Sequence, residues 1–144
     1  MSGSGDVDVR RRLPAPVNEV FAWWTEADRL QEWMSPVGEV EAQVDLRVGG
    51  AFRIVMKSGD TVIEHTGEYV EIERPRRIVF TWVSRFTGSE PSIVTVELAA
   101  AGEGETDLHL VHSRLPEAVA SSHRDGWRKM FERFAGKLMS SGRS

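Results

Sequence analysis

The sequence predicts an α+β domain in which a curved antiparallel sheet of about six to seven strands wraps around a long C-terminal helix. Three observations lead there. Between about Glu117 and Met139, Trp127, Met130, Phe131, Phe134 and Leu138 recur at helical spacing and make one heavy apolar stripe. From Val37 to Arg114 the apolar period changes from helical to two, the signature of strands. Two short helical patterns separate a first strand from the rest. A stripe this apolar must be covered, and the alternating strands are the large partner available.

Taken in order, residues 1–5 are small and polar, the composition of a disordered or cloning-derived start. Val7, Val9 and Leu13 alternate in a first strand, with Arg11 intruding on the apolar face. Pro14 and Pro16 end it, and Pro16 suits a helix start. Val17, Val20, Phe21 and Trp24 then keep helical spacing, and Leu30, Trp33 and Met34 do so in a second helix that stops before Pro36. Val40, Ala42 and Val44 share a strand face, and Gly49 and Gly50 follow to supply turn angles. Phe52, Ile54 and Met56 face one way along the next strand. Thr61 to Glu73 is a long strand whose alternation slips between Tyr69 and Ile72, which predicts a bulge. Ile78, Phe80, Trp82 and Phe86 alternate next, followed by Val94, Val96 and Leu98, and then by Leu108, Leu110 and His112. Pro116 opens the long helix, Gly142 lies beyond its end, and residues 141–144 form a tail. Residues 6–140 are thus expected to form a single domain.

Composition narrows the function. The 144 residues are 40% hydrophobic and 28% charged, enough for one sizeable core. The absence of cysteine removes disulfides, thiolate nucleophiles and Cys-ligated metals, and fits a cytoplasmic location. No apolar run approaches the roughly 20 residues that span a bilayer, and the start lacks a signal-peptide core. A net charge of −4, with Arg10, Arg11 and Arg12 the only basic run, speaks against nucleic acid.

A family resemblance rests on Ala15-Pro16 with Val20-Phe21, Trp33, Asp45-x-Arg47-x-Gly49-Gly50-x-Phe52, Gly67-x-Tyr69, Ile78-Val-Phe-Thr-Trp82 and Gly126-Trp127. These motifs span nearly the whole chain. They resemble the helix-grip fold of the START-like (SRPBCC) superfamily, in its branch homologous to the activator of heat-shock protein 90 ATPase. At Glu73-Arg74-Pro75 the chain departs from the paired prolines frequent in relatives, which touches only a turn. The resemblance implies a cavity between sheet and helix.

Several residues invite a functional reading. His65, His109, His112 and His123 lack the short-spacing pairs of zinc sites, so no metal is expected. The tryptophans read first as core, Asp45 and Arg47 as a local ion pair, and Gly126 as a point of close helix–strand approach. Glu64 and Glu68 share a solvent-facing parity. No nucleophile elbow, P-loop or dinucleotide fingerprint occurs, no catalytic residue is assigned and no cofactor is implied. The site expected from these readings is a pocket with apolar walls from Phe52, Ile54, Met56, Phe80, Trp82, Met130, Phe131 and Phe134 and polar groups from His65, Tyr69, Ser84 and His112. The first functional reading is therefore a module, monomeric or homodimeric, that encloses a small hydrophobic or aromatic molecule. A second is a co-chaperone-like domain docking on a chaperone, although the relatives that stimulate the ATPase carry a further amino-terminal domain. A third is a cyclase- or hydrolase-like enzyme using the same cavity, with His65 or His112 as acid or base.

Overall fold

Strand β1 (Ser4–Leu13) alternates as its sequence requires: Val7, Val9 and Leu13 are buried and their neighbours are not. This computed structural model describes residues 4–35, 38–87 and 90–141. Helices α1 (Val17–Thr25) and α2 (Ala27–Trp33) follow, then β2 (Glu39–Val44), β3 (Ala51–Ser58), β4 (Thr61–Glu73), β5 (Arg77–Trp82), β6 (Ser92–Ala100) and β7 (Thr106–Pro116), and finally α3 (Glu117–Ser141). The seven strands form one antiparallel sheet in the order β1-β7-β6-β5-β4-β3-β2. Sequence-consecutive β1 and β2 thus lie at opposite edges, so the α1–α2 hairpin has to cross the width of the sheet. This is the helix-grip fold.

The predicted slip in β4 is real. The register with β5 shifts between Tyr69 and Glu71, and the extra residue, Val70, turns outward and is exposed. Gly67, just before it, permits a close crossing: a Cβ there would lie 2.0 Å from the Thr81 carbonyl oxygen and 2.4 Å from the Phe52 ring. In the turn before β3 the two glycines divide the work. Gly49 adopts a φ of 87°, whereas at Gly50 the need is space, since a Cβ would meet the Asp45 carbonyl oxygen at 2.1 Å.

The core is a pile of rings. Trp24 sits at its centre, 4.8 Å from Trp33 and 6.1 Å from Trp127 between centroids, and Trp33 stacks on Phe134 at 4.2 Å. Trp127, Phe131, Phe134 and Leu138 are all buried, as the stripe on α3 requires.

Three expectations need correction. Strand β5 ends at Trp82, not Phe86: Val83 makes only an isolated bridge to Thr66, and the chain then turns as the Thr87 amide bonds the Ser84 carbonyl. Ser4 and Gly5 belong to β1 rather than to a disordered start, and Ser141 to α3; the rest of 1–5 and of the tail, with Gly142, lies outside the described residues, as do Pro36 and Val37. Gly126 makes no close approach to a strand, because a Cβ there would meet nothing within 4 Å.

Candidate functional site

Toward its N-terminal half, α3 leaves the ring pile and stands over the ends of β3, β4 and β5. His123, Gly126, Trp127 and Met130 share one helix face there by spacing. Opposite them stand Met56 on β3, Ile63 and His65 on β4, and Trp82 at the end of β5. Phe86 and Ser122 complete a pocket of about 360 Å³. Its walls are mostly apolar or aromatic, and none of these residues carries a permanent charge. Gly126 helps to keep it open, since it contributes no side chain where an alanine would already begin to fill space.

His65 and Trp82 lie side by side in this wall. Their rings lie 4.6 Å apart between centroids, and they are 6% and 2% exposed. Neither His65 Nδ1 nor Trp82 Nε1 has a hydrogen-bond partner. Burial pushes the His65 pKa down to about 4, against an upward pull from the Ile54 backbone, and nearby His123 lowers it further. The ring is therefore neutral at pH 7.

His112 lies behind Trp82 and is fully buried. The Trp127 indole donates to its Nδ1 at 3.0 Å, and its Nε2 lies 2.8 Å from Ser92 Oγ. Ser92 in turn donates to the Trp82 carbonyl oxygen, so its oxygen accepts from His112, which assigns the Nε2–H tautomer. Burial, with smaller contributions from His123 and His65, pushes the His112 pKa down to about 3. Both ring nitrogens are committed inside the protein. His123 spends one too, as Nδ1 donates to the Val119 carbonyl at 2.8 Å.

The twelve side chains expected at the site fall into three groups. Met56, His65, Trp82 and Met130 line the pocket. Phe52, Ile54, Tyr69 and Phe80, with Trp82, surround a separate gap of only about 10 Å³, room for one water at most. Ser84, His112, Phe131 and Phe134 are buried and line neither space; Ser84 instead holds the turn after β5 by accepting from the Phe86 amide at 3.1 Å. Ile63, Phe86, Ser122, His123, Gly126 and Trp127 complete the wall, and the sequence reading had not placed them there. For α3 the signal was available, since His123 and Gly126 lie three or four residues from Trp127 and Met130 on one helix face.

A groove of about 710 Å³ on the outer face of β2–β4 is larger, but its walls include exposed Gln43, Asp45, Arg53 and Glu68, which water already solvates. Arg47 closes an ion pair on Asp45 at 2.9 Å nearby, with both partners exposed. Among the described residues, no group of three or more His, Cys, Asp or Glu is placed to hold a metal ion. No described helix is long and apolar enough to cross a membrane.

Comparison with known proteins agrees with this architecture. The profile of the family described as Activator of Hsp90 ATPase homolog 1-like protein matches residues 14–138. An HSP90 activator from Plasmodium falciparum is 31% identical with a TM-score of 0.61, over 77% of this chain and 74% of that one. CalU16 from Micromonospora echinospora is 28% identical with a TM-score of 0.73, over 95% of this chain and 77% of that one. An AHSA1 protein from Silicibacter pomeroyi shares the fold at a TM-score of 0.81 and 22% identity, over 95% of this chain and 99% of that one. No curated protein matches the chain.

Proposed function

Since the chain belongs to the family of activator of Hsp90 ATPase homolog 1-like proteins, we propose that it encloses a small, largely apolar molecule in the pocket of about 360 Å³ between α3 and the sheet. The observation that carries this reading is the contrast between two neighbouring spaces. Rings fill the middle of the grip down to about 10 Å³, while the adjoining end stays open behind apolar walls. A domain stabilised only by packing has no reason to keep such an apolar cleft open, because apolar surface left facing water is burial forgone. Met56 and Met130 on opposite walls are flexible side chains that adapt to different shapes. The size is typical of small-molecule sites, which run from about 300 to 1,000 Å³.

Trp82 and Trp127 both line the pocket, so titration with small aromatic compounds should change tryptophan fluorescence. Met130→Trp, which plugs the space, should abolish that response. If compounds that respond with the wild type bind the plugged variant equally well, the reading fails.

A second reading is chaperone docking, supported by the 31% identity to an HSP90 activator. It predicts stimulation of a chaperone's ATPase by the purified domain, unaffected by Met130→Trp because it uses the outer surface.

A further inference from the structure

His123 Nδ1 lies 2.8 Å from the carbonyl oxygen of Val119, one turn back on α3. A carbonyl only accepts, so Nδ1 carries the proton, and in the neutral ring Nε2 is left as a bare acceptor. Nε2 has no hydrogen-bond partner among the described residues. It is also absent from the sealed, unpartnered side-chain atoms, which are Trp23 Nε1, Trp24 Nε1, His65 Nδ1 and Trp82 Nε1, so water reaches it. The half-buried ring lines the pocket and stands edge-on to fully buried His112, 5.4 Å away between centroids. It acts electrostatically on both His65 on β4 and His112 on β7, which places it between α3 and the sheet. We infer that the ligand carries a hydroxyl or N–H group whose hydrogen His123 Nε2 accepts. This rests on the pocket being a ligand site, as proposed above.

Other polar groups of the wall are worse placed for that task. The Trp127 indole is spent on His112, and His65 Nδ1 and Trp82 Nε1 are sealed. The Ser122 hydroxyl gives its hydrogen to the Val119 carbonyl at 3.0 Å. A carboxylate is the competing ligand, since a second proton on His123 would supply its counter-charge. A hydroxyl or N–H is the simpler partner, because it uses the lone pair that the Val119 bond leaves free and brings no charge among apolar walls. A ligand of the same shape without a donor displaces water from Nε2 and leaves it unpaired, and this is the source of discrimination.

The test is a calorimetric titration of the intact protein, in mildly alkaline buffer, with 2-naphthol, 2-methoxynaphthalene and 2-naphthoate. The wild type should bind 2-naphthol about tenfold more tightly than 2-methoxynaphthalene, the value of one well-made hydrogen bond. His123→Leu should bring that ratio to about one by weakening naphthol alone, whereas Ser122→Ala should retain it. In a long-range proton–nitrogen spectrum of the wild type, His123 Nε2 should be the unprotonated nitrogen, and its resonance should move much further with 2-naphthol than with the ether. Equal wild-type affinities, a preference that survives in His123→Leu, or a neutral ring with its proton on Nε2 would each overturn the inference while leaving the pocket reading intact. Tightest binding of naphthoate would overturn the neutral donor. If neither neutral compound binds, the inference falls together with the reading beneath it. Should a variant fail to fold, the wild-type ratio and the Nε2 resonance decide the matter.

Discussion

Replacing Gly126 by leucine should make this protein more stable and less able to bind. Glycine inside an exposed helix is about 1 kcal/mol less favourable than a good helix former. A Cβ at position 126 meets nothing within 4 Å, and the residue lines the pocket, so a leucine side chain enters empty apolar space without a clash. Half-burial of that side chain adds about 1 kcal/mol. The sum, about 2 kcal/mol, corresponds to a rise in Tm of roughly 4 to 8 °C for a chain of this size. Gly136 is the internal control. It lies on the same helix, is solvent-exposed and likewise has open space at its Cβ. Gly136→Ala should gain only the helix contribution, about 1 kcal/mol, with unchanged ligand affinity. Calorimetric melting and a fluorescence titration of both variants test the argument. If Gly126→Leu lowers Tm, the space at that position is not free; if it binds aromatic compounds as the wild type does, the pocket is not where they go. A gain in stability at the expense of binding is the familiar trade-off of functional sites.

Other perturbations probe the remaining parts of the grip. Trp127→Ala and Phe131→Ala should each lose about 3 to 5 kcal/mol in urea unfolding, since a fully buried ring leaves a cavity, and a loss below about 1 kcal/mol would contradict the packing. Gly67→Ala should lose at least about 3 kcal/mol or fail to fold, because its methyl collides with backbone at the β4–β5 crossing; a wild-type melting curve would mean that the strands part more readily than the geometry implies. Acid should weaken the fold through two histidines. His65 and His112 titrate near 4 and 3 when folded against 6.5 when unfolded, so between those values the unfolded chain binds more protons and stability falls as pH falls. The contribution is fully present above about pH 6.5 and declines by about 1.4 kcal/mol per unit for each group below it. Urea midpoints should therefore drop clearly from pH 7 to pH 5, and equal midpoints would show that these rings are not held neutral.

Much of the architecture was legible because it is periodic. Alternation in Phe52, Ile54 and Met56, the break after Tyr69 and the stripe from Trp127 to Leu138 each state which face of an element turns inward. The order of elements and the topology class follow from those faces. The position of the pocket was less legible, since it depends on what is absent. Phe52, Tyr69, Phe80 and Phe134 have the right chemistry for a ligand wall, yet they interlock and leave no room. The open end owes its space to the missing side chain of Gly126, which periodicity reads only as a weakness in a helix. Phe86 kept the parity of a strand and so looked like core, although the chain had already turned at Ser84. The inward face of His112 was readable from parity. That both of its nitrogens were already engaged was not, because Trp127 and Ser92 reach it from elements far apart in the chain.

That relay from Trp127 through His112 and Ser92 to the carbonyl of Trp82 joins α3 to three strands at one point. Its consequence lies in time rather than in energy. The indole proton of Trp127 can exchange with deuterium only when the helix lifts away from β7, which is close to global unfolding. The indole proton of Trp82, equally buried but unbonded, needs only a local opening of the wall beside the pocket. Two resonances in one spectrum thus serve as separate clocks, the slow one for release of the grip and the fast one for breathing of its open end.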